Sequence, residues 1–199
     1  MVHERKKNQV VVPQKRIHAF LTQHTTNSEK ETLGLAEKFG RNLKTGDVVA
    51  FTGPIGSGKT VFIKGLARGL GVKNPDEVKS PTFVLLHLYE GRFPIQHFDL
   101  YRFEREEELD EVGFDEFVSN REAVTFVEWA EKAERRIPKN SFWIQLEVTG
   151  ENSRNIVIVS PAERGRLRAL PVPARPCPSG RRAAGERQAG GRQETISGQ

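Results

Sequence analysis

The sequence predicts an α/β protein, a mixed β-sheet flanked by helices and built as one domain between two tails. Three observations carry this. Short apolar runs of the buried-strand kind, such as "GDVVAFTG" at 46–53, alternate with amphipathic helical patterns early in the chain. Paired apolar runs joined by turn residues add hairpins in the middle and at the end, which makes the sheet mixed in direction. The apolar residues, 36% of 199, are sparse from about 163 onward, and what remains suffices for one domain of ordinary size.

The boundaries follow from composition. Residues 1–16 form a basic head with five Lys/Arg and one Glu. Residues 163–199 hold eight Arg and three Glu, many Gly and Pro, and almost no large apolar side chains. Such a segment buries too little surface to offset its ordering entropy and is expected to be disordered. These two tails carry the whole positive excess, so the domain at 17–162 is mildly acidic. The charge therefore gives the domain no general polyanion footprint. The one cysteine, Cys177, lies in the tail, which excludes an intrachain disulfide framework. No apolar run approaches membrane-spanning length and no signal-peptide core is present, so a soluble cytoplasmic protein without membrane association is expected.

Within the domain the elements are read in order. "IHAFLTQ" at 17–23 is a short first strand. Ser28 and Glu31 have capping-box spacing, and Leu33, Ala36, Phe39 and Leu43 follow at helical intervals, so 28–43 is an amphipathic helix. "GDVVAFTG" is a buried strand, and "KTVFIKGLARGLG" is a helix stopped by Gly71. "TFVLLHLYEGRFPIQHFDLYRF" is two strands turning at Glu90–Arg92. "EREEELDEVGFDEFVS" is one or two acidic helices, and "AVTFVEWA" holds another buried strand. "EKAERRI" is a short helix ended by Pro138, and "FWIQLEVTG" with "NIVIVS" is a final hairpin around Glu151–Asn152.

Between the second strand and the second helix, Gly53, Gly58, Lys59 and Thr60 satisfy G-x-x-x-x-G-K-[ST] in the strand-to-helix context that this phosphate cradle, the P-loop, requires. Gly56 and Gly58 let the backbone turn and approach a phosphate without a Cβ in the way. Successive N–H groups of Ile55, Gly56, Ser57 and Gly58 then face an anion at the positive end of a helix dipole. Lys59 reaches the β- and γ-phosphates and the Thr60 hydroxyl ligates Mg²⁺. A P-loop NTPase-like domain is the consequence. Hydrolysis needs a carboxylate near the metal or the water. Glu128 ends the strand in "AVTFVE", and Asp99 ends the apolar stretch in "QHFDLYR"; which of them directs the water stays open. No N-K-x-D guanine-reading motif is present, and the D-x-x-G at Asp110–Gly113 sits in an acidic helical stretch, so ATP is the expected nucleotide. His87 and His97 lie in strands with no metal-ligand spacing and read as structural.

The ordered series of the cradle, "KSPTFVLLHLYEG", "HFDLYR", "EELDEVGFDEF" and "VEW" resembles the TsaE (YjeE) family, from about Ser28 to Val159. The resemblance implies a slow, Mg²⁺-dependent ATPase that supports turnover of the TsaB–TsaD complex, which makes threonylcarbamoyladenosine in tRNAs reading ANN codons; tRNA is met indirectly, through that complex. It further implies a switch segment at Ser80–Phe83 with Thr82 sensing the nucleotide, Asp99 as the acid of its motif, and Glu128 as a metal-linked acid with Trp129 beside it. Glu29 falls where the family meets the adenosine end, and Arg154 where a basic residue faces the nucleotide. Pro54 and Ala130 depart from the family's usual Asp and Pro. Two other readings use the same cradle. A small-molecule kinase would recruit Arg102, Arg105, Arg135 and Arg136 to a lid, and a non-catalytic sensor would dispense with Glu128.

Overall fold

The computed structural model describes residues 22–164. The expected head, the first residues of the expected first strand and the tail with Cys177 lie outside them. In chain order the elements are β1 (Thr22–Thr26), α1 (Glu29–Gly40), β2 (Val48–Thr52), α2 (Lys59–Gly69), β3 (Leu86–Glu90), β4 (Pro94–Asp99), α3 (Glu108–Glu111), α4 (Phe114–Val118), β5 (Val124–Glu128), β6 (Phe142–Val148), β7 (Arg154–Val159) and α5 (Pro161–Arg164). Single 3-10 turns cover Pro75–Glu77 and Ala130–Ala133.

Seven strands form one sheet in the order β1-β7-β6-β2-β5-β4-β3. The central four, β6, β2, β5 and β4, are parallel, and β7, β1 and β3 join antiparallel to their neighbours, so the sheet is mixed as expected. β2 reads VVAFT because both its faces are covered. Val49 and Phe51 pack with Phe62, Ile63 and Leu66 under α1 and α2. Val48 and Ala50 face Phe98, Leu109, Phe114 and Val127 on the opposite side. Phe51 meets Phe62 and Phe126 edge-on, at 6.0 and 6.4 Å between ring centroids. Truncating one of these fully buried rings to alanine costs about 3–5 kcal/mol.

α1 starts as its sequence dictates. The Ser28 side chain accepts the Glu31 N–H, and the Glu31 carboxylate accepts the Asn27 N–H. Three expectations are corrected. The first strand runs to Thr26, three residues past its expected end at Gln23. The β3 strand begins at Leu86 rather than Thr82, because the chain at Pro81–Leu85 folds into a turn closed by Val84 and Leu85 N–H groups on the Pro81 carbonyl. "EKAERRI" yields no regular α-helix: its start forms a 3-10 turn at Ala130–Ala133, which the left-handed Trp129 (φ 57°) opens. α5 (Pro161–Arg164) spans the expected boundary at 162.

β2, β4 and β5 all point their C-terminal ends to one edge of the sheet. α2 leaves β2 on one face, while α3 and α4 precede β5 on the other. Ligands of open α/β sheets bind at such a place, outside the carboxyl ends of the strands.

Candidate functional site

β2 ends at Thr52, and residues 53–58 turn the chain into α2. The turn holds Gly53 at φ 137°, Gly56 at 76° and Gly58 at 98°, conformations that side-chain-bearing residues avoid. Gly58 is the N-cap of α2 and supplies no side-chain cap, so the first-turn N–H groups of this eleven-residue helix are left to a ligand. Lys59 is 5% exposed, and its ammonium donates to the carbonyls of Gly53 (2.8 Å) and Pro54 (3.0 Å) and lies 4.2 Å from the centroid of the Trp129 ring. Burial holds its pKa below the ordinary lysine value, against the opposing pull of the Glu128, Glu131 and Asp99 carboxylates.

The parallel pairing of β4 with β5 sets Asp99 opposite Glu128. Both acids are buried, at 3% exposure each. The Thr60 hydroxyl donates to Glu128, 3.2 Å from Oε1 and 3.4 Å from Oε2. Asp99 is bound differently. Its Oδ2 accepts the Ser80 hydroxyl and the Thr82 hydroxyl (2.6 Å), and its Oδ1 accepts the Tyr101 N–H at 2.8 Å. Trp129 holds its left-handed backbone at a cost of about 1–2 kcal/mol. Its ring packs at a tilt against Tyr101, 5.1 Å between centroids, and covers Lys59. Strain of this kind persists where packing over-determines it, commonly at functional sites.

These groups line a cleft of about 430 Å³. Of the residues singled out in the sequence, Ile55, Gly56, Gly58, Lys59, Thr60, Thr82, Asp99, Glu128, Trp129 and Arg154 line it. Glu29, Gly53 and Ser57 do not. Glu29 is exposed at the first residue of α1. Gly53 is buried where a Cβ would stand 2.3 Å from the Leu146 carbonyl, so its glycine is demanded by β6 rather than by a phosphate. Ser57 is buried and contributes its carbonyl, which accepts from Arg154 Nε at 3.1 Å. Arg154 also donates to the carbonyls of Gly150, Glu151 and Ser153, tying the β6–β7 turn to the cradle. Pro54 is exposed and offers only its carbonyl, so the departure at this position leaves the loop intact. Ala130 is fully buried at the start of the 3-10 turn.

Two roles escaped the sequence reading: Tyr101 packs its ring on Trp129, and His97, expected to be structural, lies 3.0 Å from Glu128 Oε1. Ser80, expected in the switch segment, binds Asp99 beside Thr82. The signal for His97 was present: in "HFD" it sits two residues before Asp99, hence on the same face of β4.

The cradle at the end of a buried parallel strand, the buried lysine and the hydroxyl–carboxylate pair define a P-loop NTPase-like α/β protein. A family model described as "Threonylcarbamoyl adenosine biosynthesis protein TsaE" matches residues 26–156. The chain belongs to the TsaE family. It is 36% identical over 133 residues to the tRNA threonylcarbamoyladenosine biosynthesis protein TsaE of Treponema pallidum, covering 67% of this chain and 96% of that one. Its identity to the protein of the same name from Bacillus subtilis is 37% over 141 residues, covering 70% of this chain and 85% of that one. The crystal structure of Bacillus subtilis YdiB superposes with a TM-score of 0.56 at 28% identity, covering 74% of this chain and 97% of that one.

Proposed function

We propose that the protein is an ATP-binding, ATP-hydrolysing accessory subunit of tRNA threonylcarbamoyladenosine formation, acting in the cytoplasm on the TsaB–TsaD complex and meeting tRNA only through it. The observation that carries the nucleotide part is the hydrogen-bonded Thr60–Glu128 pair beside the buried Lys59, in a cleft at the strand ends. The pathway part rests on family membership. The donor set fits a Mg²⁺ ion, which takes hard oxygen ligands, typically one or two carboxylates together with phosphate oxygens and water. Thr60 and Glu128 would hold it, and the ion would supply charge neutralisation on the β- and γ-phosphates.

The chain's own residues do the rest. First-turn N–H groups of α2 bind phosphate oxygens. Lys59 exchanges the Gly53 and Pro54 carbonyls for phosphate, and Trp129 excludes water from its ammonium. Asp99 or Glu128 orients the attacking water. Asp99 would do so through Oδ1, which accepts only the Tyr101 N–H, or through Oδ2 after releasing the Ser80 or Thr82 hydroxyl. The arginines that a kinase lid would need line no part of the cleft: Arg136 is paired with Asp110 and Asp115, and Arg105 with Glu108. The test is phosphate release from ATP with and without Mg²⁺, run beside capture of purified TsaB–TsaD with ATP and with ADP. Hydrolysis and nucleotide-dependent capture are expected. Phosphate transfer to a nucleoside or nucleotide in place of release would overturn the ATPase reading, and capture failing with both nucleotides would overturn the partner.

A further inference from the structure

Glu128 is held from behind as well as from the cleft. His97 lies on the neighbouring strand, with no exposed surface, and its Nε2 is 3.0 Å from Glu128 Oε1. β4 and β5 run parallel with His97 beside Phe126 and Asp99 beside Glu128, so the imidazole reaches the carboxylate diagonally on one sheet face. The same Oε1 is the nearer acceptor of the Thr60 hydroxyl. The other ring nitrogen, Nδ1, is buried and has no hydrogen-bond partner among the described residues. The ring packs against Tyr89 at 6.3 Å between centroids.

This arrangement fixes the tautomer. A proton on Nδ1 would leave a buried donor unpaired and turn the Nε2 lone pair onto a carboxylate oxygen, two unfavourable contacts. The proton therefore sits on Nε2 and is donated to Oε1. A histidine that only filled space would do better as an apolar ring of the same volume, with no orphaned nitrogen. What the imidazole adds is a direction. With Oε1 engaged by two donors, the carboxylate is locked about its last torsion and Oε2 is the oxygen with open lone pairs.

We propose that His97 is a positioning residue that locks the Glu128 carboxylate with Oε2 available to a divalent cation, and thereby sets the affinity of the cleft for that cation. This rests on the nucleotide-binding reading above. Groups that orient a metal ligand from behind typically contribute about 10–100-fold to metal affinity.

The experiment measures binding rather than turnover. A fluorescent ATP analogue is titrated at a series of Mg²⁺ concentrations and again in EDTA, with thermal unfolding recorded for each variant. His97→Leu should raise the Mg²⁺ needed for half-maximal tightening by about tenfold or more while leaving affinity in EDTA within about twofold. His97→Gln, whose amide N–H reaches towards the Nε2 position, should restore most of the effect, and the shorter His97→Asn should not. In a Glu128→Gln background His97→Leu should add nothing, since its effect passes through that carboxylate. An unshifted Mg²⁺ requirement in His97→Leu refutes the proposal, as does an equal loss in EDTA or an additive loss with Glu128→Gln. If His97→Leu does not fold, the Gln–Asn comparison decides on the same criterion. If none of the three folds, His97 is a core residue only and the proposal is wrong. Lack of any Mg²⁺ effect in wild type would instead refute the parent nucleotide reading.

Discussion

Gly53 and Gly56 are both cradle glycines, yet replacing them with alanine should have opposite consequences. At Gly53 an added Cβ would stand 2.3 Å from the Leu146 carbonyl oxygen and 2.9 Å from Ser57 Oγ, with the backbone at φ 137°. The carbonyl belongs to β6, which pairs directly with β2, so neither strand yields without breaking ladder bonds. Overpacking costs about 1–3 kcal/mol and a backbone outlier about 1–3 kcal/mol more. A combined loss of about 4 kcal/mol lowers the melting temperature by about 8–16 °C in a chain of this size. At Gly56 nothing lies within 4 Å of the added Cβ, and only the left-handed conformation, φ 76°, is penalised. That is about 1–2 kcal/mol, or about 2–8 °C. Gly56→Ala should therefore fold and lose nucleotide affinity, because Gly56 lines the cleft, whereas Gly53→Ala should lose the fold around it. Differential scanning fluorimetry with and without ADP reads both. A Gly53→Ala protein melting within about 2 °C of wild type, or Gly56→Ala falling as far as Gly53→Ala, would show that the close approach to β6 is not what the first glycine serves.

Lys59→Ala should weaken ATP binding by at least about tenfold, since it deletes charged hydrogen bonds worth about 1.5–3 kcal/mol; equilibrium titration checks this, and near-normal affinity would sink the cradle reading. Glu128→Gln should keep the fold and much of the nucleotide binding but stop phosphate release; if release persists, Asp99→Asn in the same assay identifies the acid. Thr82→Val removes one of two hydroxyls on Asp99 Oδ2, so it should flatten the ratio of TsaB–TsaD affinities with ATP and ADP more than it alters ATP affinity itself; an unchanged ratio leaves Ser80–Phe83 as scaffold. Glu131 has a buried Oε2 without a hydrogen-bond partner among the described residues, and burial holds its pKa above the ordinary 4.5. The unfolded chain then releases this proton first, so the native state loses stability as pH rises from 4.5 through the raised value. Glu131→Gln should accordingly raise the melting temperature at pH 7 and give no gain below pH 4.5; an equal gain at both would locate the effect elsewhere.

The fold was legible where local pattern and tertiary demand agree. VVAFT is apolar at successive positions because β2 is covered on both faces, and that reads directly as a buried strand. Ser28 and Glu31 made their start signal locally, within four residues. The errors fall where a long-range contact overrides the pattern. "TFVLLHLYE" is apolar enough for one long strand, yet Thr82 is drawn to Asp99, seventeen residues on, and the chain breaks at the left-handed Leu85. Trp129 similarly opens a 3-10 turn where sequence period alone suggests an α-helix, because its ring is held between Lys59 and Tyr101.

The site divides along the same line. A cradle is a contiguous motif, so Gly56, Gly58, Lys59 and Thr60 are visible as a string, and their chemistry follows from spacing. The acids are visible only as strand ends, and nothing in a string tells that Asp99 and Glu128 are register partners. Their different surroundings are less visible still. Glu128 is bound by Thr60 of the cradle and by His97 behind it, whereas Asp99 is bound by Ser80 and Thr82 of the switch segment. One acid is thus tied to the rigid scaffold and the other to the loop. That asymmetry assigns them separate tasks in the proposed cycle. Glu128 keeps one geometry throughout, as a metal-linked group must. Asp99 Oδ2 becomes available only when its hydroxyl partners find another acceptor, which a triphosphate in the cleft would provide. An acid gated in this way makes hydrolysis depend on the conformation of Ser80–Phe83, and a partner that touches this segment, where Phe83 is 88% exposed, would control turnover without contacting the nucleotide.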